Sequence, residues 1–212
     1  MQEFYTRFYA AAPRSAANAA YCAAVYGRNL CQHGFVDMSQ IDEIMRTCAI
    51  GPQSRVLDLG GGNGMIAEYI SDTTGAHVTG IDFILAAIED ALMRTADKRE
   101  RLAFAVMDMG ALDFPPASFD VILSLDTLYF TDFTRTVTAL LRLLKPEGVL
   151  AVIYDQSAMP HEDLASYDRS QNLPDGNAFG RLLKDLGLTF ESRCLNEEVL
   201  AHARRRLAIF PS

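Results

Sequence analysis

Residues 56–64 read Val56-Leu57-Asp58-Leu59-Gly60-Gly61-Gly62-Asn63-Gly64, a short apolar run that ends in a cluster of glycines. An apolar run of that length, bounded by glycines, suits a strand buried on both faces, the kind found in parallel sheets. Glycines at 60, 62 and 64 permit a sharp backbone turn that side chains would block, and bring the backbone within contact distance of a ligand. The helix that opens there offers free N–H groups and a positive dipole end to that ligand. Gly62, Gly64 and Ala67 also satisfy the dinucleotide pattern G-x-G-x-x-A, which alone is a weak signal.

The same alternation continues downstream. A helix carrying Ile66, Tyr69 and Ile70 leads to a strand over His77–Ile81. A helix with Ile84, Leu85, Ile88 and Leu92 then precedes a strand over Leu102–Met107. Beyond a Pro-Pro turn the pattern predicts a strand over Phe119–Leu125 and a helix over Phe133–Leu144. That helix is stopped by Lys145-Pro146-Glu147-Gly148, and a strand follows over Val149–Tyr154. Phe179, Leu182, Leu183 and Leu186 share one face of a further helix that closes at Gly187, and a strand is expected over residues 188–195. The segment Glu197–Arg204 reads helical, and Leu207-Ala208-Ile209-Phe210 is thin evidence for one more strand.

Upstream of the glycine loop the reading is helical. Residues 3–11 and 14–27 are rich in Ala and aromatics. A third helix opens at Ser39, with Asp42 three residues on as a capping-box-like start. Its Ile41, Ile44, Met45 and Cys48 recur at helical spacing until Gly51-Pro52 ends it. Buried-type strands alternating with helices predict a doubly wound α/β domain. Its mostly parallel sheet carries helices on both faces, right-handed crossovers and an N-terminal helical cap. With 212 residues the chain is expected to be a single domain, residues 1–50 forming the cap and 51–212 the core.

Composition narrows the function. The formal net charge of −8 argues against bulk binding of nucleic acid or anionic membrane, which needs a positive field. The only dense basic cluster is Arg204-Arg205-Arg206. No apolar stretch approaches the roughly 20 residues of a membrane-spanning helix. Cys22, Cys31, Cys48 and Cys194 have no C-x-x-C and no ligand-like spacing with the four histidines. Scattered reduced thiols, no metal and a cytoplasmic location are the expectation.

Three acids sharpen the loop signal. Asp58 lies two residues before the first glycine. Asp82 ends the second strand, where a carboxylate can accept both hydroxyls of a ribose, and Asp108 ends the third, where it can accept from an adenine amino group. Acids at the carboxyl ends of three successive strands line one crevice, where ligands bind in such sheets.

From about residue 55 to 155 the chain resembles the class I S-adenosylmethionine-dependent methyltransferases, whose sheet is Rossmann-like. The matching pieces, in order, are VLDLGGGNG, GID, VMDMGALDFP, SFDVILSLDTLYF and LLRLLKPEGVLAV. The resemblance implies S-adenosyl-L-methionine as cofactor, with S-adenosyl-L-homocysteine as product. It implies that Asp58, Gly60, Gly61, Gly62, Asn63 and Gly64 hold the methionine part. Asp82 would take the ribose, Asp108 and Met109 the adenine, and Leu125 a wall after the fourth strand, with Phe83 also cofactor-binding. Such enzymes usually finish with an antiparallel strand pair, and here that pair is expected to be incomplete.

Methyl transfer from a sulfonium is an in-line displacement that a protein assists mainly by positioning and by compatible dipoles, so no triad is required. Candidates for the acceptor side are Tyr26, Gln32, Asp126, Tyr129 and Tyr154, with His33 and Tyr129 as positioning groups or base. A hydrogen-bonded structural role for His33 stands equally open. The expected partner is a small-molecule methyl acceptor with an N, C or O nucleophile. An aminopropyl transferase and a non-catalytic cofactor binder on the same fold are the alternatives. A short-chain dehydrogenase is disfavoured because no tyrosine has Lys four residues on. Phe114-Pro115-Pro116 precedes the fourth strand and reads as a turn, not as the amino-methylating signature that follows it.

Overall fold

The computed structural model describes residues 2–154, 168, 170 and 173–209. The strands are β1 (Arg55–Leu59), β2 (His77–Asp82), β3 (Leu102–Val106), β4 (Phe119–Leu125) and β5 (Leu144–Ile153). They form one parallel sheet in the order β3-β2-β1-β4-β5. The direction of travel reverses between β1 and β4, which opens a crevice at their carboxyl ends. Period-two alternation divides the core. Val56, Val78, Val121 and Leu123 face α3 (Met38–Thr47), α4 (Met65–Thr74) and α5 (Leu85–Arg94). Leu57, Leu59, Ile81 and Ile122 face Val137, Leu140 and Leu143 of α6 (Phe133–Leu143).

At the N-terminus, α1 (Gln2–Ala11) and α2 (Ala16–Tyr26) are joined by a 3₁₀ turn at Ala12–Arg14. Ser15 caps α2 by accepting from the Asn18 N–H, and Gly27 ends it at φ 89°. The capping box of α3 lies two residues upstream of the expected one. Asp37 accepts from the Ser39 and Gln40 N–H groups, and the Gln40 side chain accepts from the Asp37 N–H. Asp42 instead accepts from the Tyr69 hydroxyl at 2.7 Å. In α5 the buried face is Ala87, Ile88 and Ala91, whereas Leu85 and Leu92 stay exposed.

Three further expectations are corrected. Lys145-Pro146-Glu147-Gly148 does not separate α6 from β5; the strand starts at once at Leu144. A register irregularity opposite Phe119 and Val121 absorbs the extra length, and Lys145 is held by both Asp120 oxygens at 2.9 and 2.8 Å. The segment 188–195 joins no ladder, although its residues alternate. Arg193 pairs with Glu43 and Glu198, tying the segment to α3 and to α8 (Asn196–Ile209) instead of the sheet edge. Leu207, Ala208 and Ile209 are the last turn of α8 rather than a strand; Phe210 lies outside the described residues. Before α8, the amphipathic α7 (Ala178–Asp185) ends with Gly187 at φ 67°.

Helix α8 packs against α2 through His202, which is fully buried between the rings of Tyr26 and Phe35. Among the described residues neither imidazole nitrogen has a hydrogen-bond partner. Burial, helped by Arg206 and Arg205, lowers its pKa against a smaller opposing effect of Asp37. The folded imidazole therefore stays neutral where the unfolded one takes up a proton. Stability from this group is full above the ordinary histidine pKa of about 6.5 and declines as pH falls below it. Urea unfolding at about pH 5.5 and 7.5 is expected to show that slope, and His202→Phe to flatten it. An unchanged slope in the variant would assign it to other groups.

Candidate cofactor and acceptor site

The carboxyl ends of β1, β2 and β4, closed over by α1 and by the connection between α2 and α3, enclose one cavity. The glycine loop forms its floor and is pinned from several sides. The Gly61 N–H donates to the Ile81 carbonyl at 3.0 Å. The two Asp82 oxygens accept from the Gly62 and Ile84 N–H groups, each at 2.9 Å. The Thr127 hydroxyl donates to the Leu59 carbonyl at 3.1 Å. Asn63 is held by side chain and backbone: its side-chain amide donates to Asp90 at 3.1 Å and its backbone carbonyl accepts from Arg94 at 2.8 Å.

Asp58 is buried at the end of β1, and its Oδ2 has no hydrogen-bond partner among the described residues. Burial, and then the nearby Asp82 charge, push its pKa up to about 7. Burial raises Asp82 too, against the N–H groups that stabilise its charge. The ordered acids found in the sequence therefore converge in part. Asp58 and Asp82 line the cavity with Gly60, Gly61 and Asn63, and Phe83, Met109 and Leu125 supply apolar walls. Asp108 is exposed outside it, folding back to accept from the Gly110 N–H at 2.8 Å. Gly62 and Gly64 shape the loop without lining the cavity. A Cβ on Gly62 would lie 2.1 Å from the Tyr9 hydroxyl, because α1 inserts that side chain into the loop.

The opposite wall is aromatic and polar. The His33 ring sits 5.2, 5.5 and 5.2 Å from the rings of Phe4, Tyr5 and Phe8, and Tyr5 in turn lies 6.0 Å from Phe130. Burial and the Arg206 charge lower the His33 pKa, which keeps the imidazole neutral at physiological pH. Gln32 is buried; its oxygen accepts from the Leu30 N–H at 2.8 Å, and its Nε2 has no hydrogen-bond partner among the described residues. Asp126 adopts φ 60° directly after β4 and accepts from the Phe35 N–H at 3.3 Å. Tyr129 lies at the rim, 4.3 Å from the Phe130 ring and partly exposed.

Two acceptor-side candidates are not brought to the cavity. Tyr26 is buried beneath the loop and donates to the Gly34 carbonyl at 3.0 Å. Tyr154 stacks on Phe179 at 5.3 Å; Asp155 and Gln156, next to it, lie outside the described residues. Ile66 and Thr127, which the sequence does not single out for the site, also line the cavity, as does Cys31 of the segment Leu30-Cys31-Gln32-His33-Gly34, an acceptor-side candidate from the sequence. Cys31 stands at φ 54°, a backbone state that residue type alone does not signal.

Residues 57–152 match a family model described as a methyltransferase domain. The chain belongs to the class I S-adenosylmethionine-dependent methyltransferases. It is 34% identical over 152 residues to phosphoethanolamine N-methyltransferase 1 of Zea mays, covering 69% of this chain and 30% of that protein. It is 32% identical over 174 residues to the glycine/sarcosine/dimethylglycine N-methyltransferase of Actinopolyspora halophila, covering 77% of this chain and 30% of that one. This methyltransferase chain thus spans about a third of the length of the curated relatives it matches. Among solved structures, a putative S-adenosyl-L-methionine-dependent methyltransferase from Methanococcus maripaludis has the same fold. Its TM-score is 0.59 at 16% identity, covering 90% of this chain and 86% of that one. No described helix is long and apolar enough to cross a membrane.

Proposed function

We propose that this chain binds S-adenosyl-L-methionine in the cavity and methylates an amine on a small molecule. One observation carries the reading. Two buried polar atoms of the same cavity lack partners, an acceptor at Asp58 Oδ2 and a donor at Gln32 Nε2. Leaving such atoms unpaired costs about 1–3 kcal/mol each, so the cavity is shaped for a ligand bearing both an ammonium and a carboxylate. The methionine end of the cofactor is such a zwitterion. Asp82 would accept from the ribose hydroxyls, and Phe83, Met109 and Leu125 suit the faces of the adenine. Asp108 would reach the base only by leaving its own turn. When bound, the cofactor supplies a methyl group on a sulfonium, open to in-line displacement.

The remaining work falls to the chain. Asp58, Asp82 and Asp126 line the cavity, and its described lining holds no Lys or Arg, which favours cations. Faces of Tyr5, Tyr9 and Phe130 add cation–π attraction on the order of 0.5–2 kcal/mol to a sulfonium or ammonium. Neutral His33 serves as the proton acceptor for the attacking amine, and Asp126 and Tyr129 orient it. Tyr26 acts from beneath, through Gly34. The names of the maize and Actinopolyspora relatives, both N-methyltransferases, support the amine. Residues 1–50 form the cap of a single domain in this reading, and the unpaired cysteines suit a cytoplasmic location.

The test is mass spectrometry of a panel of small amines incubated with protein and methyl-labelled cofactor. Gain of one labelled methyl by an amine is expected. Cofactor binding without transfer to any acceptor would leave a binder, and transfer of an aminopropyl group when the decarboxylated cofactor is supplied, with methylthioadenosine released, would replace the reaction. Asp58 gives a second readout. Below about pH 7 its carboxyl is largely protonated, and pairing with a ligand ammonium favours the carboxylate. Binding of S-adenosyl-L-homocysteine should therefore release up to about one proton near pH 6 and almost none near pH 8. Calorimetry in buffers of different ionisation enthalpy measures this. Asp58→Asn is expected to abolish the buffer dependence; persistence would place the proton elsewhere.

A further inference from the structure

Arg204-Arg205-Arg206 is the densest basic run of the chain and lines no part of the cavity. Two of these residues nevertheless reach back toward it. Arg205 Nε donates to the Val25 carbonyl at 2.7 Å, and its Nη2 donates to Asp37 Oδ2 at 2.8 Å. Val25 belongs to the last turn of α2, and Asp37 is the N-cap of α3. One planar guanidinium therefore bridges both ends of the connection between those helices. The inner side of that connection supplies Leu30, Cys31, Gln32, His33, Gly34 and Val36 to the cavity.

Further contacts of α8 follow the same path. The Arg206 guanidinium lies 5.8 Å from the centre of the Phe35 ring. His202 fills the space between Phe35 and Tyr26, and Tyr26 holds the Gly34 carbonyl. The connection has no helix or strand of its own, and it holds Cys31 in a left-handed conformation. A strained backbone of that kind persists only where its surroundings over-determine it.

We infer that Arg205 is a positioning residue, fixing from outside the cavity the loop that carries Gln32 and His33 into it. The basic run is thus a clasp between the end of the chain and the site. This deepens the proposed function and rests on it for the effect on binding, while the effect on the loop stands by itself.

The test compares Arg205→Ala and Arg205→Lys with Arg204→Ala, a loss of the same charge at an exposed position. Hydrogen exchange of residues 28–36 is read without ligand, and S-adenosyl-L-homocysteine affinity by calorimetry. Arg205→Ala is expected to speed exchange in 28–36 about 10-fold and to weaken binding about 10-fold, as loss of charge-assisted bonds implies. Arg205→Lys, which keeps the charge but loses the fork, should fall between; Arg204→Ala should match the unaltered protein. Should Arg205→Ala not fold, the lysine variant carries the comparison, with an expected change of about 3-fold. Exchange and affinity both within about 2-fold of the unaltered protein would overturn the inference. So would exchange that rises equally across β1 and β4, since that marks general destabilisation. If the unaltered protein bound no S-adenosyl-L-homocysteine, yet Arg205→Ala loosened 28–36, the proposed function would fall and the clasp would stand.

Discussion

Asp82→Ala is expected to weaken binding of S-adenosyl-L-homocysteine about 100-fold, the loss of one to two charge-assisted hydrogen bonds of about 1.5–3 kcal/mol each. In the proposed site the carboxylate has two tasks. It holds the glycine loop through Gly62 and the start of α5 through Ile84, and it faces the cavity where a ribose diol would lie. Alanine removes the ligand contact and leaves two N–H groups without their acceptor, so stability should drop by about 2–4 kcal/mol as well. Asp82→Asn keeps one acceptor oxygen and should lose about 10-fold in affinity. Calorimetry below the melting temperature of each variant separates binding from folding. An alanine variant that binds as tightly as the unaltered protein would remove Asp82 from the site.

The second large effect concerns folding. Gly64→Ala is expected to cost about 3 kcal/mol or more, combining left-handed strain with overpacking. Gly64 caps α4 at φ 71°, and a Cβ there would lie 2.3 Å from Cε1 of Phe104 and 3.1 Å from the Ala91 methyl. Phe104 is buried in the sheet core and cannot withdraw without moving β3. Gly75 provides the comparison. It caps the other end of the same helix at φ 78°, but its nearest neighbour is Pro52 at 3.3 Å. Gly75→Ala should therefore cost about 1 kcal/mol, mostly backbone strain. Equal losses in urea unfolding would show that the Phe104 contact is accommodated.

Much of this was legible residue by residue. The run Val56–Leu59 before glycines reads as a buried parallel strand and is one, and Asp82 ends the next strand as expected, in the lining of the cavity. Both readings use neighbours in the chain. The expected strand at 188–195 shows the converse. Its alternation is real, but a strand exists only where a ladder partner is available, and Arg193 is engaged with Glu43, 150 residues away. The capping box of α3 was misplaced for a milder reason: both Asp37 and Ser39 are good cap residues, and backbone conformation chose between them.

By itself the sequence determined the order of strands and helices as far as β5, the glycine turn and the acids at the strand ends. Each depends on periodicity or on conformational demands that adjacent residues express. Only the tertiary structure decided which candidates meet. It set Gln32 and His33 in the cavity wall, sent Tyr26 beneath that wall to hold Gly34, turned Asp108 outward and stacked Tyr154 on Phe179. It also gave the basic run near the chain end a partner 168 residues away, at Asp37. Contacts of that kind depend on how whole helices pack, and no local pattern encodes the distance between side chains that the fold brings together.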